Sequence, residues 1–506
     1  MMQSELLLPP WSTFNNTYSN LDHTSLYDPN MDLCMTADHE FSSSFTSPEV
    51  FSEVSWDSCV PMMFTGEFFE LKNLCDNIQI TSPTEGLESN PIGEIEGVDE
   101  WLNGSSDTEE NVSSEVPVNE SSMDMSLTYP ADEMEIDNQL SLHHLLKAYG
   151  EAMENGQKEL STEIVKSINK KTNPRGTILE RLAFNLFQSK EREGEYLRQE
   201  SSKYFMKAFM VFYQSLPYGK FAHFTANSAI LQAMPDDIKT IHIIDFDVGE
   251  GIQWPPVFEA ISHKGKSLRF TSIRLDNKTI CSPWDFERTK KWLYHHARQS
   301  GLKLQIEETS IEDLASGLTR MKQMGRGKEW LVFNCMIQLP HMARRRRRSH
   351  VTNFLKVAEE LLANGGVSAG IVTFADGEAQ NSSITYSGYS SFFDKHTRHY
   401  KTQFESLEQH FNAHLTEART AMETLFLAPF MCPLVGPQGW EESTQGFNLP
   451  ITSLKGQKLS QESLNEAKQI VNERESSYKV KIAGDEEHEM VLKWKGTPLV
   501  KVSSWI

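Results

Sequence analysis

The chain has 506 residues and a formal net charge of −22 at pH 7. No uninterrupted apolar run approaches the roughly 18 residues that a membrane-spanning helix needs, so a spanning segment is not expected. The N-terminus lacks a basic region followed by an apolar core, which argues against secretion. The six cysteines form no C-x-x-C pair and no cluster with histidine, so we expect reduced thiols that pack as apolar side chains.

The acidic charge is concentrated in the first 140 residues. This segment has 28 acidic residues and one basic residue, Lys72, which gives a net charge of −27. Repulsion between like charges and the scarcity of apolar residues predict a mostly disordered arm over residues 1–139. Its spaced hydrophobic residues, with a short amphipathic helix predicted over residues 68–74, are typical of activation segments. An acidic solubilising tail fits the same composition.

A helical pattern begins directly after the arm. Apolar residues recur at i, i+3, i+4, i+7 and i+11, which gives one apolar stripe on a helix. These residues are Leu142, Leu145, Leu146, Tyr149 and Met153. Because the helices that follow offer more apolar face than a sheet alone needs, we expect this stripe to be a surface for a partner protein.

Further helices extend this region into a helical cap over residues 140–234. One helix carries three phenylalanines at helical spacing and is stopped by Pro217. In the segment KFAHFTAN, His223 lies among aromatic residues. Such a histidine is more often a hydrogen-bonded core residue than a catalytic base or a ligand. The helices are predicted over residues 160–168, 178–187 and 202–216.

The stretch from residue 239 to residue 262 organises the rest of the chain. A short, mostly β-branched apolar run predicts a strand buried on both faces, and Asp247 follows its end. Gly249 and Gly251 favour a tight turn, and two prolines suit the first turn of a helix. This order predicts the first unit of a doubly wound α/β sheet, with a crevice at the carboxyl end of the strand. The strand contains Ile241, His242, Ile243, Ile244 and Asp245.

Strands continue to alternate with helices along the core, which predicts a parallel sheet. The end of the chain instead has three apolar runs separated by glycine turns, which predict an antiparallel extension. The parallel strands are predicted over residues 267–276, 302–306, 330–337 and 368–374, and the antiparallel strands over residues 478–482, 490–494 and 499–505.

Four of these segments together resemble the plant GRAS family. Residues 142–157 resemble its first leucine-rich region. IHIID with the following QWP resembles the VHIID signature, KFAHFTAN resembles the second leucine-rich region, and LKWKGTP with SSW resembles the closing SAW segment. The resemblance covers residues 140–506 and is nearest to the symbiosis-associated branch of nodulation and arbuscule regulators. It implies an α/β fold with a methyltransferase-like Rossmann sheet, over residues 235–506, behind the helical cap.

The resemblance also implies a function. GRAS proteins are nuclear transcriptional regulators, so the expected activity is regulation without a cofactor, including regulation of root symbiosis genes. The expected partners are other GRAS proteins, as homo- or heterodimers, and DNA-binding transcription factors. Direct DNA binding is disfavoured because residues 141–506 hold 47 basic and 42 acidic residues, a net charge of only +5.

An enzyme is the alternative. Asp247, Gly249 and Gly251 form half of the D-x-G-x-G-x-G motif with which methyltransferases bind S-adenosylmethionine, and Asp276 follows where a ribose-binding carboxylate would lie. The third glycine position is Gln253, however, and a tryptophan with two prolines removes small residues and amide donors from the turn. These departures favour a protein that is not an enzyme over a methyltransferase or a non-catalytic small-ligand binder.

The strongest basic cluster is a run of five arginines after the fourth predicted strand. Five adjacent guanidinium groups are not expected to be buried together, so the sequence predicts an exposed loop. It is interpreted first as a nuclear import signal, with a phosphate-contacting patch and a plain solvated loop as alternatives. The run comprises Arg344, Arg345, Arg346, Arg347 and Arg348.

Overall fold

A computed structural model describes residues 131–187, 192–275, 284–323, 329–363, 369–379, 386–411, 415–436, 439–441 and 449–506. Most of the predicted arm, with its proposed helix over residues 68–74, lies outside these residues. The first described helix already begins at Ala131, within the range predicted for the arm. None of the described helices is both long and apolar enough to cross a membrane.

The cap consists of six helices. The last of them is buried along most of its length because it lies between the sheet and the other cap helices. The bounds are α1 Ala131–Glu154, α2 Lys158–Asn169, α3 Ile178–Phe187, α4 Arg192–Ser202, α5 Phe205–Ser215 and α6 Pro217–Ala233. Helix α3 has the predicted limits, whereas α4 lies in a polar stretch for which no helix was predicted.

The sheet has eight strands in the order β3-β2-β1-β4-β5-β8-β7-β6. The first five are parallel, and β8 joins β5 in an antiparallel sense, so the predicted extension continues the same sheet. The predicted methyltransferase-like α/β fold is therefore confirmed. The strands are β1 Thr240–Asp245, β2 Ser267–Ile273, β3 Leu304–Thr309, β4 Glu329–Ile337, β5 Gly370–Asp376, β6 Tyr478–Ala483, β7 Glu489–Trp494 and β8 Thr497–Trp505.

Helices cover both faces of this sheet. Because side chains alternate along a strand, Ile241 and Ile243 of β1 pack into the core on the cap side, and Ile244 packs into a second core on the other face. The remaining helices are α7 Pro255–His263, α8 Phe286–Gln299, α9 Ile311–Gln323, α10 Arg348–Ala363, α11 Tyr389–His410, α12 Thr416–Met422, α13 Ala428–Met431 and α14 Gln461–Ile470, with a π-helical turn at Glu423–Leu427.

The apolar stripe of α1 faces the interior, which corrects the predicted partner surface. Helix α1 packs on α11, and the ring of Tyr149 lies 5.2 Å from that of Phe393 while its hydroxyl donates to the carbonyl oxygen of Val435 at 2.7 Å. The periodicity does produce one apolar face, but the chain itself supplies the partner, a helix that begins about 240 residues after Tyr149. Leu142, Leu146 and Tyr149 are buried, and Leu145 and Met153 are partly buried against the same core.

Candidate functional site

Polar side chains form a row across the carboxyl end of the parallel strands. The strand register places Asp245 of β1 between Ser272 of β2 and Asn334 of β4, and Asn334 beside Thr373 of β5. All four residues are buried. Residues in register on neighbouring parallel strands point to the same face, so the row is a consequence of the sheet's alignment. It lies at the edge where open α/β sheets bind ligands.

Hydrogen bonds join this row to the cap. Gln253, at the third glycine position of the methyltransferase pattern, donates to Asn334 Oδ1 at 3.2 Å and to Asn227 Oδ1 of α6 at 3.1 Å. Asn227 returns a bond to the backbone oxygen of Gln253 at 2.8 Å, and Thr373 donates to Asn334 at 2.9 Å. The network fastens α6 to the sheet. This hydrogen-bond network was not predicted from the sequence, although the glutamine at a glycine position of the methyltransferase pattern indicated a departure there.

Asp245, the last residue of the VHIID motif, is hydrogen-bonded to other groups of the chain. Its carboxylate accepts hydrogen bonds from Trp254 Nε1 at 2.8 Å and from the backbone N–H of Asp247 at 2.9 Å. Burial nevertheless raises the pKa of Asp245 to about 7, with the charge of Asp247 acting in the same direction. The motif's last residue thus orders the turn and the buried indole beyond it.

The pKa of Asp245 predicts a pH-dependent stability. Because its folded pKa of about 7 lies above its ordinary value of 3.8, the folded state binds more protons between these values, and stability falls as pH rises through this window. We expect Asp245→Asn to remove a loss of about 2 kcal/mol between pH 5 and pH 7. Urea unfolding of both proteins at pH 5, 6 and 7 measures this. A stability difference between the two proteins that does not change with pH would contradict the assignment.

The two glycines of the turn are approached by the protein's own side chains. Both have positive φ angles, +56° and +80°. A Cβ atom at Gly249 would lie 2.8 Å from Met342 Cε, and one at Gly251 would lie 3.0 Å from Leu293 Cδ2 and 3.1 Å from Thr289 Cγ2. In a methyltransferase the glycines leave room for the cofactor. Here Met342, Leu293 and Thr289 pack against the turn, so the glycines serve the internal packing of the chain.

Asp247 is engaged in two ion pairs. Its carboxylate contacts the guanidinium groups of Arg344 and Arg346. Burial opposes ionisation of Asp247, but the two arginines outweigh it and lower its pKa to about 2. The carboxylate that heads the methyltransferase pattern is therefore bound within the chain. Asp276, the predicted ribose ligand, lies outside the described residues.

The prediction that the arginine run is an exposed loop is wrong for most of it. The side chains of Arg344 and Arg346 are only 12% and 10% exposed, and of the five arginines only Arg347 is exposed. The charge of Arg345 acts against the burial of Glu378 and lowers the pKa of that carboxyl. Carboxylates of the chain thus offset part of the positive charge of the segment between β4 and α10.

Two other expectations concern histidines and metals. His223 is buried, and its Nδ1 lies 2.9 Å from the hydroxyl of Tyr213, which confirms the predicted core role. His242 of the VHIID motif is also buried, with Nε2 2.7 Å from Thr271 Oγ1. Within the part of the chain that the structure describes, no three histidine, cysteine or acidic residues are grouped so that they could hold a metal ion.

Comparison with known proteins identifies the family to which this sheet and cap belong. A sequence model of the GRAS domain family matches residues 142–506. The chain belongs to the GRAS domain family. The crystal structure of SCL7 in Oryza sativa has the same fold, with a TM-score of 0.52 and 21% identity over 72% of this chain and 99% of that one.

Characterised relatives of this GRAS protein include two named for nodulation. Protein NODULATION SIGNALING PATHWAY 2 of Medicago truncatula is 28% identical over 307 residues, and that of Lotus japonicus is 28% identical over 308 residues. Each match covers 59% of this chain but only 58% and 59% of the relatives' own lengths. DELLA protein GAIP of Cucurbita maxima is 27% identical over 318 residues, which cover 58% of this chain and 50% of the relative.

Proposed function

We propose that this GRAS protein is a plant nuclear transcriptional regulator that acts through protein contacts and has no enzymatic activity. One observation supports the lack of enzymatic activity. Met342, Leu293 and Thr289 pack against the glycine turn that a cofactor would need. The nodulation relatives support a role in root symbiosis, and the acidic arm over residues 1–139 would be the activation segment of a GRAS domain over residues 140–506.

A tethered reporter tests the regulatory role. The full chain is fused to an unrelated DNA-binding module and expressed in plant cells with a reporter gene, and a second fusion lacks residues 1–139. We expect the full chain to change reporter transcription and the shorter fusion to lose activation. A full chain that leaves transcription unchanged, although it is present in the nucleus, would contradict the proposal.

The proposed partner surface moves to the exposed leucines of α1 and α2. In the described part of the chain, the exposed large hydrophobic residues are Leu140 of α1, Leu160 of α2 and Ile506. Two of the three lie on helices that pack together. Exposed leucines on a helical face are suited to apolar contact with another GRAS protein or with a DNA-binding factor.

Two charged substitutions test this surface. Leu140→Asp with Leu160→Asp is expected to abolish co-precipitation with regulators purified from plant nuclei, because it places charge in an apolar contact without disturbing the core. Ile506→Asp is the matched control, since Leu160 and Ile506 have the same exposed fraction, 48%. Unchanged recovery of every partner by the double variant would rule out this face.

The arginine run stays the proposed import signal, although an import receptor would then have to draw it away from Asp247. We compare replacement of all five arginines by lysine, which keeps both the positive charge and a cation beside Asp247, with replacement by glutamine. Imaging is expected to find the lysine variant in the nucleus and the glutamine variant excluded from it. Equal nuclear accumulation of both would show that the signal lies elsewhere.

A further inference from the structure

A cavity remains beside the ion pairs of Asp247. It has a volume of about 220 Å³ and lies at the carboxyl ends of β1 and β2, between the turn at Gly249 and the arginine segment. Pockets for drug-sized ligands are typically about 300–1,000 Å³, so this cavity suits a smaller molecule. Its lining includes the charged residues Asp247, Arg344 and Arg346 and the aromatic residues Trp284 and Phe286.

The charges that line the cavity leave it positive. Arg344 and Arg346 share the carboxylate of Asp247, and Asp245, whose pKa is about 7, offsets only part of the remaining charge, so this wall stays positive. Arg274 and Glu308 line the cavity together and offset each other, and the charge of Arg345 is offset by Glu378 behind the wall. A concave, partly buried site with a net positive charge attracts an anion, and guanidinium groups bind carboxylate and phosphate oxygens strongly.

The opposite wall is apolar and held in place. Trp284 donates from Nε1 to the carbonyl oxygen of Met342 at 3.0 Å, and the rings of Phe205 and Phe209 pack edge-on against it at 5.1 and 4.9 Å. Phe286, at the start of α8, lies beside this indole in the lining. An apolar wall that does not need to rearrange can pack against a ring or another flat apolar group without additional ordering.

We propose that this cavity binds a small organic anion, with an apolar body and one carboxylate or phosphate group. The anionic group would contact Arg346 and Arg344, and the apolar body would lie against Trp284 and Phe286. S-adenosylmethionine is a poor match because its sulfonium and ammonium groups outweigh its one carboxylate and leave it with a net positive charge. The site therefore reverses the charge preference expected of a methyltransferase crevice and is separate from the protein contacts that carry the proposed regulatory function.

Calorimetric titration of the full chain with phenyl phosphate, at low ionic strength, tests the proposal. We expect saturable binding that is tighter than that of inorganic phosphate, which lacks the ring, and of phenol, which lacks the charge. Arg346→Gln leaves one arginine against one carboxylate and is expected to weaken binding about tenfold or more. Arg347→Gln is the matched control, because it removes an adjacent but exposed arginine, and it should bind as the unaltered protein does.

A substitution that is expected to tighten binding completes the test. Asp247→Asn removes the competing carboxylate and is expected to tighten phenyl phosphate binding and to make the ligand raise the melting temperature more than in the unaltered protein. If a variant does not fold, the unaltered protein still tests the proposal. Absence of saturable phenyl phosphate binding to it overturns the proposal. Equal weakening by Arg346→Gln and Arg347→Gln, or binding of phenyl phosphate no tighter than that of inorganic phosphate, overturns it too.

Discussion

Replacement of Arg181 by alanine is expected to lower the free energy of unfolding by about 3–5 kcal/mol. Arg181 of α3 is buried and donates from Nε to Glu423 Oε1 at 3.0 Å and from Nη1 to the carbonyl oxygen of Gly176 at 2.8 Å. Loss of the guanidinium leaves the carboxylate of Glu423 buried without this partner. Because the pair joins the cap to the π-helical turn after α12, the cap would loosen from the core.

The measurement is urea unfolding at pH 8. Burial outweighs the nearby arginines and raises the pKa of Glu423 to about 7, so its carboxylate is mostly ionised at that pH. Arg198→Ala is the matched control, since Arg198 also pairs with a glutamate but is 61% exposed, and it should cost less than about 1 kcal/mol. A similar small loss for both variants would contradict the structural role of the buried pair.

Gly377→Ala is expected to destabilise the fold by about 3 kcal/mol through a steric clash. A Cβ atom at this position would lie 1.9 Å from the carbonyl oxygen of Gln338 and 2.5 Å from its carbonyl carbon. Both atoms are backbone, and Gln338 is already held at a φ of +54°. The turn after β4 would have to separate from the end of β5, where the amide of Gly377 donates to Ile337 at 3.0 Å.

Thermal and urea unfolding of Gly377→Ala should be compared with those of Gly317→Ala. Gly317 lies in the interior of α9, and a Cβ atom there would meet nothing within 4 Å. Its replacement is expected to stabilise the chain by about 0.5–1 kcal/mol, because alanine has less backbone entropy to lose in a helix. If Gly377→Ala unfolds as the unaltered protein does, β4 and β5 do not approach as closely as described.

The sheet could be predicted from the sequence because its signals are local. The run from Ile241 to Asp245 is apolar, β-branched and too short for a helix, and the glycine turn that follows fixes the strand-to-helix order. The same holds for β7 and β8, whose alternation and turn lie within a few residues of each other. Patterns of this kind depend on backbone geometry, which each segment largely determines by itself.

The candidate site could be predicted only in part, because its contacts are long-range. The sequence singled out Asp247, but its partners Arg344 and Arg346 follow almost 100 residues later, and five adjacent arginines favour a solvated loop when considered alone. The apolar stripe of α1 was misassigned to a partner for the same reason. Neither a charge run nor an amphipathic helix specifies what it faces, and here both face distant elements of the same chain.

These contacts explain how a fold shared with methyltransferases can serve a regulator. Gln253 replaces a glycine and ties the turn to α6, and Trp254 is buried with its indole N–H on Asp245. At both positions the residue that departs from the methyltransferase pattern makes contacts within the chain. The crevice thereby contributes to the stability of the GRAS domain.

Titration of the folded full chain with S-adenosylmethionine tests the central claim most directly, because the claim is that the chain's own side chains pack against the glycine turn that this cofactor would need. The account predicts no saturable heat and no rise in melting temperature at millimolar cofactor. Micromolar binding that Gly249→Leu abolishes, in a variant that still folds, would contradict it.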